Sequence, residues 1–174
     1  MIALKPHVPI MKLNPNAKGL LDEALGRLGL RSTRQREHVF AVLLTRRDHP
    51  TADEIYARAR EEMPTISLAT VYNCLETLVD CELVKRLNYE REPSRFCPND
   101  GEHAHFLDER TGRVFDIEVP DNFLEAIREV LPDGFEPKKF KLSFIGYAPS
   151  DEVDAAVRGG EVSREVAERL TQHP

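Results

Sequence analysis

Three features of this 174-residue chain predict an α+β protein in two parts: a helical part closed by a two-stranded hairpin, then a smaller α/β part. Apolar residues recur with the 3.6 period of helices up to residue 80 and mostly with the strand period of two beyond it. Helix-capping residues stand in front of four of the helical stretches. The charge divides as well. Residues 1–97 hold 15 Lys+Arg against 13 Asp+Glu, a balance of +2, while residues 98–174 hold 9 against 17, a balance of −8. That asymmetry suits an N-terminal half facing an anion and a C-terminal half with another task.

Taken in order, residues 1–18 contain three prolines and read as a flexible arm. A first helix fits GLLDEALGRLGL, with Leu20, Leu21, Leu25 and Leu28 on one face and Gly29 as its stop. Thr33 caps the second, in which Val39, Val42 and Leu43 are helically spaced. Thr51 and Glu54 form a capping box that opens ADEIYARAREE, and Pro64 closes that helix. Ser67 caps SLATVYNCLETLVD. The next stretch, LVKRLNYEREPSRFC, alternates around turn formers and reads as a hairpin. Helices followed by a hairpin are the order of a winged helix-turn-helix domain, spanning residues 19–97.

Residues 98–150 read as a small α/β domain. HAHFLDERTGRVFDIEV gives two strands around a turn at Arg110–Gly112. Asp121 caps the helix NFLEAIREVL, and KKFKLSFIGYA supplies a further strand. So small a sheet is expected to pair with a second copy, which makes this the dimerisation domain of a homodimer. Residues 151–174 form a tail in which SREVAERL fits one short helix. No apolar run is long enough to span a bilayer and the first twenty residues lack a signal-peptide core, so no membrane partner is expected and the cytoplasm is. Three cysteines give no disulfide framework.

The densest chemistry lies in RFCPNDGEHAHFLDERTGRVFD. His103 and His105 on a strand point to one face, and Cys97 and Asp116 converge on them if their own flanks are strands. A Cys/His/His set selects a borderline or soft divalent metal such as zinc over magnesium or calcium. Asp108, Glu109 and Glu102 read as solvated, and His7, His38 and His173 have no convergent partners. Cys74 and Cys81, two turns apart on a helix, read as small buried hydrophobes.

On the fourth helix, Leu68, Val71, Leu75, Leu78 and Val79 gather on one side, with Ala69, Thr70, Asn73 and Thr77 opposite and Tyr72 on the flank. Small polar groups at the N-terminal end of such a helix suit the major groove of double-stranded DNA. Asn73 can bond adenine, and Thr70 or Tyr72 can touch a thymine methyl. Arg31, Arg34 and Arg36 surround the cap of the second helix, where cations meet phosphates or a minor groove.

The motifs LRSTRQREHVFAVL, HPTADEIY, SLATVYNCLETLV, LVKRLNYEREPSRF and the HxH followed by GRVFD together resemble the ferric uptake regulator superfamily of metal-dependent bacterial repressors, over about residues 20–147. The resemblance implies a winged-helix DNA-binding domain, a hinge near Arg95–Asp100, and a sensory site at His49, Cys97, His103, His105 and Asp116. It places Tyr72 and Arg31 at base and minor-groove contacts and Arg36 at the DNA backbone. Many relatives hold a structural zinc with two CxxC pairs. The matching positions here are Asp108 and Thr111, then residues near Ala148 and Asp151, so no structural zinc held by four cysteines is expected. Phe140 stands near where a second regulatory site often supplies His. One divalent ion per subunit is therefore expected, with Zn2+ favoured by Cys97 and Fe2+ or Mn2+ as alternatives. Zinc-uptake regulators resemble the chain at Cys97, and peroxide sensors resemble it at Asn73. A zinc hydrolase using His103, His105 and an open coordination position is the reading from another class, but no general base stands at a diagnostic spacing.

Overall fold

The computed structural model describes residues 12–149, apart from 47, 99, 100, 102 and 139. It divides into two compact units, residues 1–100 and 101–174. The expected tail helix and residues 1–11 of the expected arm lie outside the described residues.

The N-terminal unit begins with α1 (Pro15–Arg27), which starts inside the stretch read as arm. Two local causes move the boundary. The Asn14 side chain accepts from the Ala17 N–H at 2.8 Å, and Pro15 occupies the first turn, where its missing N–H costs nothing. The buried face is also rotated from the expected one. Ala17, Leu21, Ala24 and Leu25 are buried, while Leu20 and Leu28 are 55% and 48% exposed. Gly29 ends the helix as expected, at φ 69°, with Leu30 N–H reaching back to the Leu25 carbonyl at 2.9 Å.

Three capped helices follow. In α2 (Arg34–Thr45), Thr33 accepts from Arg36 N–H. In α3 (Ala52–Glu62), Thr51 and Glu54 complete a reciprocal capping box. In α4 (Leu68–Asp80), Ser67 accepts from Thr70 N–H at 3.1 Å. The core draws on all four helices: Leu21, Leu25, Val39, Leu43, Ile55, Val71, Leu75 and Leu78 are fully buried. Each such side chain contributes roughly 1.5–3 kcal/mol of burial. Cys74 joins this face and Leu68 and Val79 sit at its margin, a narrower stripe than the wheel suggested. His38 is buried too, its Nε2 against the Ala59 carbonyl at 2.9 Å.

The wing is an antiparallel pair, β1 (Lys85–Leu87) and β2 (Arg95–Cys97), with Lys85 opposite Cys97. Ser94 Oγ donates to Asn88 Oδ1 at 2.7 Å across its loop. Arg86 ties the wing to α4 through an ion pair with Glu76. A third short stretch joins β2 from its other side: Phe96 N–H donates to the Pro50 carbonyl at 3.0 Å, and Thr51 bridges Arg95.

The C-terminal unit holds β3 (His103–Asp108), β4 (Arg113–Glu118), α5 (Asp121–Glu129) and β5 (Ser143–Gly146). The sheet order is β4-β3-β5, with β3–β4 antiparallel and β3–β5 parallel. Pro120, not Asp121, is the N-cap of α5, and no side-chain hydrogen bond closes that end. Asp121 is the first helical residue.

Asp108 corrects the expectation that it is solvated. It is buried and accepts from Thr111 Oγ1 at 2.6 Å, from Ala148 N–H at 3.2 Å and from Arg110 N–H at 3.4 Å. It thus clamps the β3–β4 turn to the chain leaving β5, where Arg110 also bonds the Ala148 carbonyl and lies over the Tyr147 ring. The Thr111 hydroxyl, with the two N–H groups behind it, holds the Asp108 carboxyl below its ordinary value of 3.8, against the opposing pull of burial. A lowered folded-state value means that the clamp acts fully above that pH and is lost as pH falls through the lower value. Asp108→Ala is therefore expected to melt at a lower temperature than the wild type at pH 7, with the difference shrinking in acid. A difference unchanged by acid, followed by calorimetry, would refute the clamp.

Candidate metal centre and nucleic-acid interface

The N-terminal unit brings two of the expected ligands together. His49 and Cys97 are 48 positions apart in sequence, and each is only 1% exposed. The cause is the third stretch of the wing sheet. Residues 49–51 run beside β2, so an imidazole nitrogen of His49 comes within 4.8 Å of Cys97 Sγ. His49 sits at φ 49°, in the left-handed region where His is tolerated better than β-branched residues. The other two thiols differ in kind. Burial pushes Cys74 up to about 11 and raises Cys81 as well, so both stay protonated and inert at neutral pH.

The C-terminal unit brings together the other three. Alternation along β3 puts His103 and His105 on one face, with their Nε2 atoms 3.0 Å apart. Asp116 on β4 stands directly opposite His105 in the ladder. Its Oδ1 lies 3.3 Å from His103 Nε2 and 3.6 Å from His105 Nε2. His103 Nδ1 is 2.7 Å from the Gly101 carbonyl. That bond places the proton on Nδ1 and aims the Nε2 lone pair at the cluster, the tautomer a ligand needs. Imidazole, thiolate and carboxylate donors fit a borderline divalent ion better than a hard one.

On the expected DNA side, Tyr72 is 44% exposed and Asn73 is exposed, while Thr70 is half-buried with its hydroxyl 2.8 Å from Ser67 Oγ. Thr70, Asn73 and Thr77 line a groove whose other wall is Thr33, Gln35 and Arg36 at the start of α2. Arg36 also donates through Nη1 to the Arg31 carbonyl at 2.8 Å, so it braces the loop that presents Arg31, an exposed residue. Sequence reasoning overlooked Gln35 as a lining residue. It also overlooked Arg95, whose partner, the His49 carbonyl, lies 46 residues away.

A capped helical unit with a wing, followed by a small sheet carrying clustered His and Asp, defines the class of metal-responsive winged-helix regulators. The chain belongs to the ferric uptake regulator family, whose sequence profile matches residues 27–145. Members of that family are metal-responsive transcriptional regulators that bind DNA, not enzymes. Over 130 residues the chain is 37% identical to the peroxide-responsive repressor PerR of Staphylococcus aureus, covering 72% of this chain and 87% of that protein. Its fold is similar to a zinc-bound manganese uptake regulator (28% identity, TM-score 0.57, 75% of this chain and 99% of the other). It is also similar to the Campylobacter jejuni peroxide stress regulator (26% identity, TM-score 0.60, 80% of this chain and 99% of the other). No helix among the described residues is long and apolar enough to cross a membrane.

Proposed function

We propose that this chain is a zinc-responsive, homodimeric repressor of the cytoplasm that grips operator DNA when one divalent ion is shared between its two units. His49 and Cys97 would come from the N-terminal unit, and His103, His105 and Asp116 from the C-terminal unit. The observation that carries the reading is Cys97, a buried thiol beside His49 in an otherwise nitrogen and oxygen donor set. A thiolate favours zinc over iron(II) or manganese(II). Donors drawn from both sides of a hinge let binding energy select one arrangement of the DNA-reading helices. Thr70, Tyr72 and Asn73 would then meet base edges, with Arg31 and Arg36 at the phosphates or the minor groove. Residues 101–174 contain no cysteine, which supports one ion per subunit and no structural zinc held by four cysteines. The homodimer draws support from apolar side chains left open on the C-terminal unit: Val130, Phe135, Ile145 and Tyr147 are 61–78% exposed.

A gel-shift titration tests this directly. Operator affinity is expected to rise at least tenfold with zinc over chelator, the scale of a typical allosteric coupling of about 1–3 kcal/mol. Equal affinity in the two conditions would sink metal control.

A second reading keeps the DNA binding but makes iron or manganese the cofactor and peroxide the signal. It is favoured by the 37% identity to a peroxide-responsive repressor. Mass spectrometry of iron-loaded protein after peroxide separates the two: added oxygen on His49, His103 or Cys97 supports the second, and unchanged residues support zinc.

A further inference from the structure

The left-handed backbone at His49 needs an explanation. A non-glycine residue there costs on the order of 1–2 kcal/mol and persists only where its surroundings over-determine it. Three restraints surround it. On one side, Asp48 forms a two-point pair with Arg58 of α3, at 2.9 and 2.6 Å. On the other, the Pro50 carbonyl is held by Phe96 N–H. Between them, the His49 carbonyl accepts from Nη1 of Arg95 at 3.1 Å.

Arg95 is the unusual member. Its side chain is only 13% exposed, and the same Nη1 lies 3.7 Å from Glu54 Oε2. That carboxylate oxygen already closes the cap of α3 by accepting from Thr51 N–H at 2.7 Å, so the helix has its cap without the guanidinium. Burying a guanidinium is costly unless it is well paired. Among the described residues, the acceptor it meets at true hydrogen-bond distance is the peptide carbonyl of a candidate ligand. That peptide plane sets the direction of the His49 side chain.

We infer that Arg95 is a positioning residue for His49: it fixes the peptide that follows the ligand and so holds the imidazole beside Cys97 before an ion arrives. The inference rests on reading His49 as a ligand. Arg95 belongs to the same three-residue strand as Cys97, so β2 carries one donor directly and restrains the other. Donors ordered by folding bind an ion more tightly than donors ordered on binding.

The test measures zinc affinity of the full-length protein by competition with a chromophoric chelator, for wild type, Arg95→Gln, Arg95→Lys, His49→Ala and the Arg95→Gln/His49→Ala double variant. Arg95→Gln is expected to weaken zinc binding about 10–100-fold, the usual consequence of losing a partner that orients a ligand. Arg95→Lys, which keeps one charged donor, should fall between it and wild type. The metal-free melting curve and far-ultraviolet circular dichroism should stay near wild type. The double variant should bind zinc no more weakly than His49→Ala alone, because Arg95 acts through His49. Wild-type affinity in Arg95→Gln overturns the inference. So does a double variant showing the full product of the two losses, or a loss of affinity matched by a loss of helix signal. His49→Ala binding zinc like wild type would instead remove the ligand reading of His49 itself, and the inference with it.

Discussion

Cys97→Ser is expected to weaken zinc binding by more than about 100-fold, since even partners outside the coordination sphere cost 10- to 100-fold when removed. Among the described residues the sulfur is the soft donor beside His49, and a serine hydroxyl stays protonated at neutral pH, where a zinc-bound thiol does not. The exchange hardly changes volume, so the fold is expected to survive. Cys97 is buried in β2, and the new hydroxyl costs about 1–3 kcal/mol if left without a partner. Three measurements separate the effects: chelator competition for zinc, thermal melting without metal, and operator gel shift with zinc. A variant that stays folded and melts at most modestly below wild type, binds zinc weakly and no longer responds to zinc on DNA is the expected outcome. Unchanged zinc affinity would remove Cys97 from the metal centre and with it the chemical preference for zinc.

The second large effect concerns stability, and it contrasts two neighbouring leucines. Leu21→Ala is expected to destabilise the N-terminal unit by about 3 kcal/mol, because Leu21 is fully buried among the helices and its loss leaves a cavity. For a unit of this size that is a melting transition lower by more than about 10 °C. Leu20→Ala, one residue earlier, is expected to stay within about 0.5 kcal/mol of wild type, because Leu20 is 55% exposed. Comparable losses in the two variants, measured by thermal or urea melting, would show that the buried face of α1 is placed wrongly.

Those leucines also show where sequence reading reached its limit. The leucines of GLLDEALGRLGL spread over one broad arc, so periodicity defines a helix there but leaves its rotation loose. The buried set is completed by Ala17 and Ala24, small residues that a search for large apolar side chains passes over. The start of α1 was legible in principle, from Asn14 followed by Pro15, but an arm reading based on proline content hid it. Thr33, Thr51 with Glu54, and Ser67 were legible because a cap is a contact between residues three apart. His103 and His105 were legible for the same reason, as a strand puts alternate side chains on one face.

Asp108 and Arg95 were not legible. Each acts on a backbone group 40 or 46 residues away, Ala148 N–H and the His49 carbonyl, and nothing in their local sequence announces such a partner. His49 itself entered through family resemblance, since a histidine before a proline signals only a loop.

The sequence by itself determined the order of helices and strands, the caps of α2, α3 and α4, the paired histidines and the family, because all of these are written in short-range spacing. The tertiary structure alone decided which side of α1 is buried. It also decided that residues 49–51 run along β2 beside Cys97, and that a guanidinium and a buried carboxylate lock distant backbone in place. The physical reason is that caps and alternation are satisfied within one turn or one strand. A buried polar group must instead find its partner wherever the packed chain brings one.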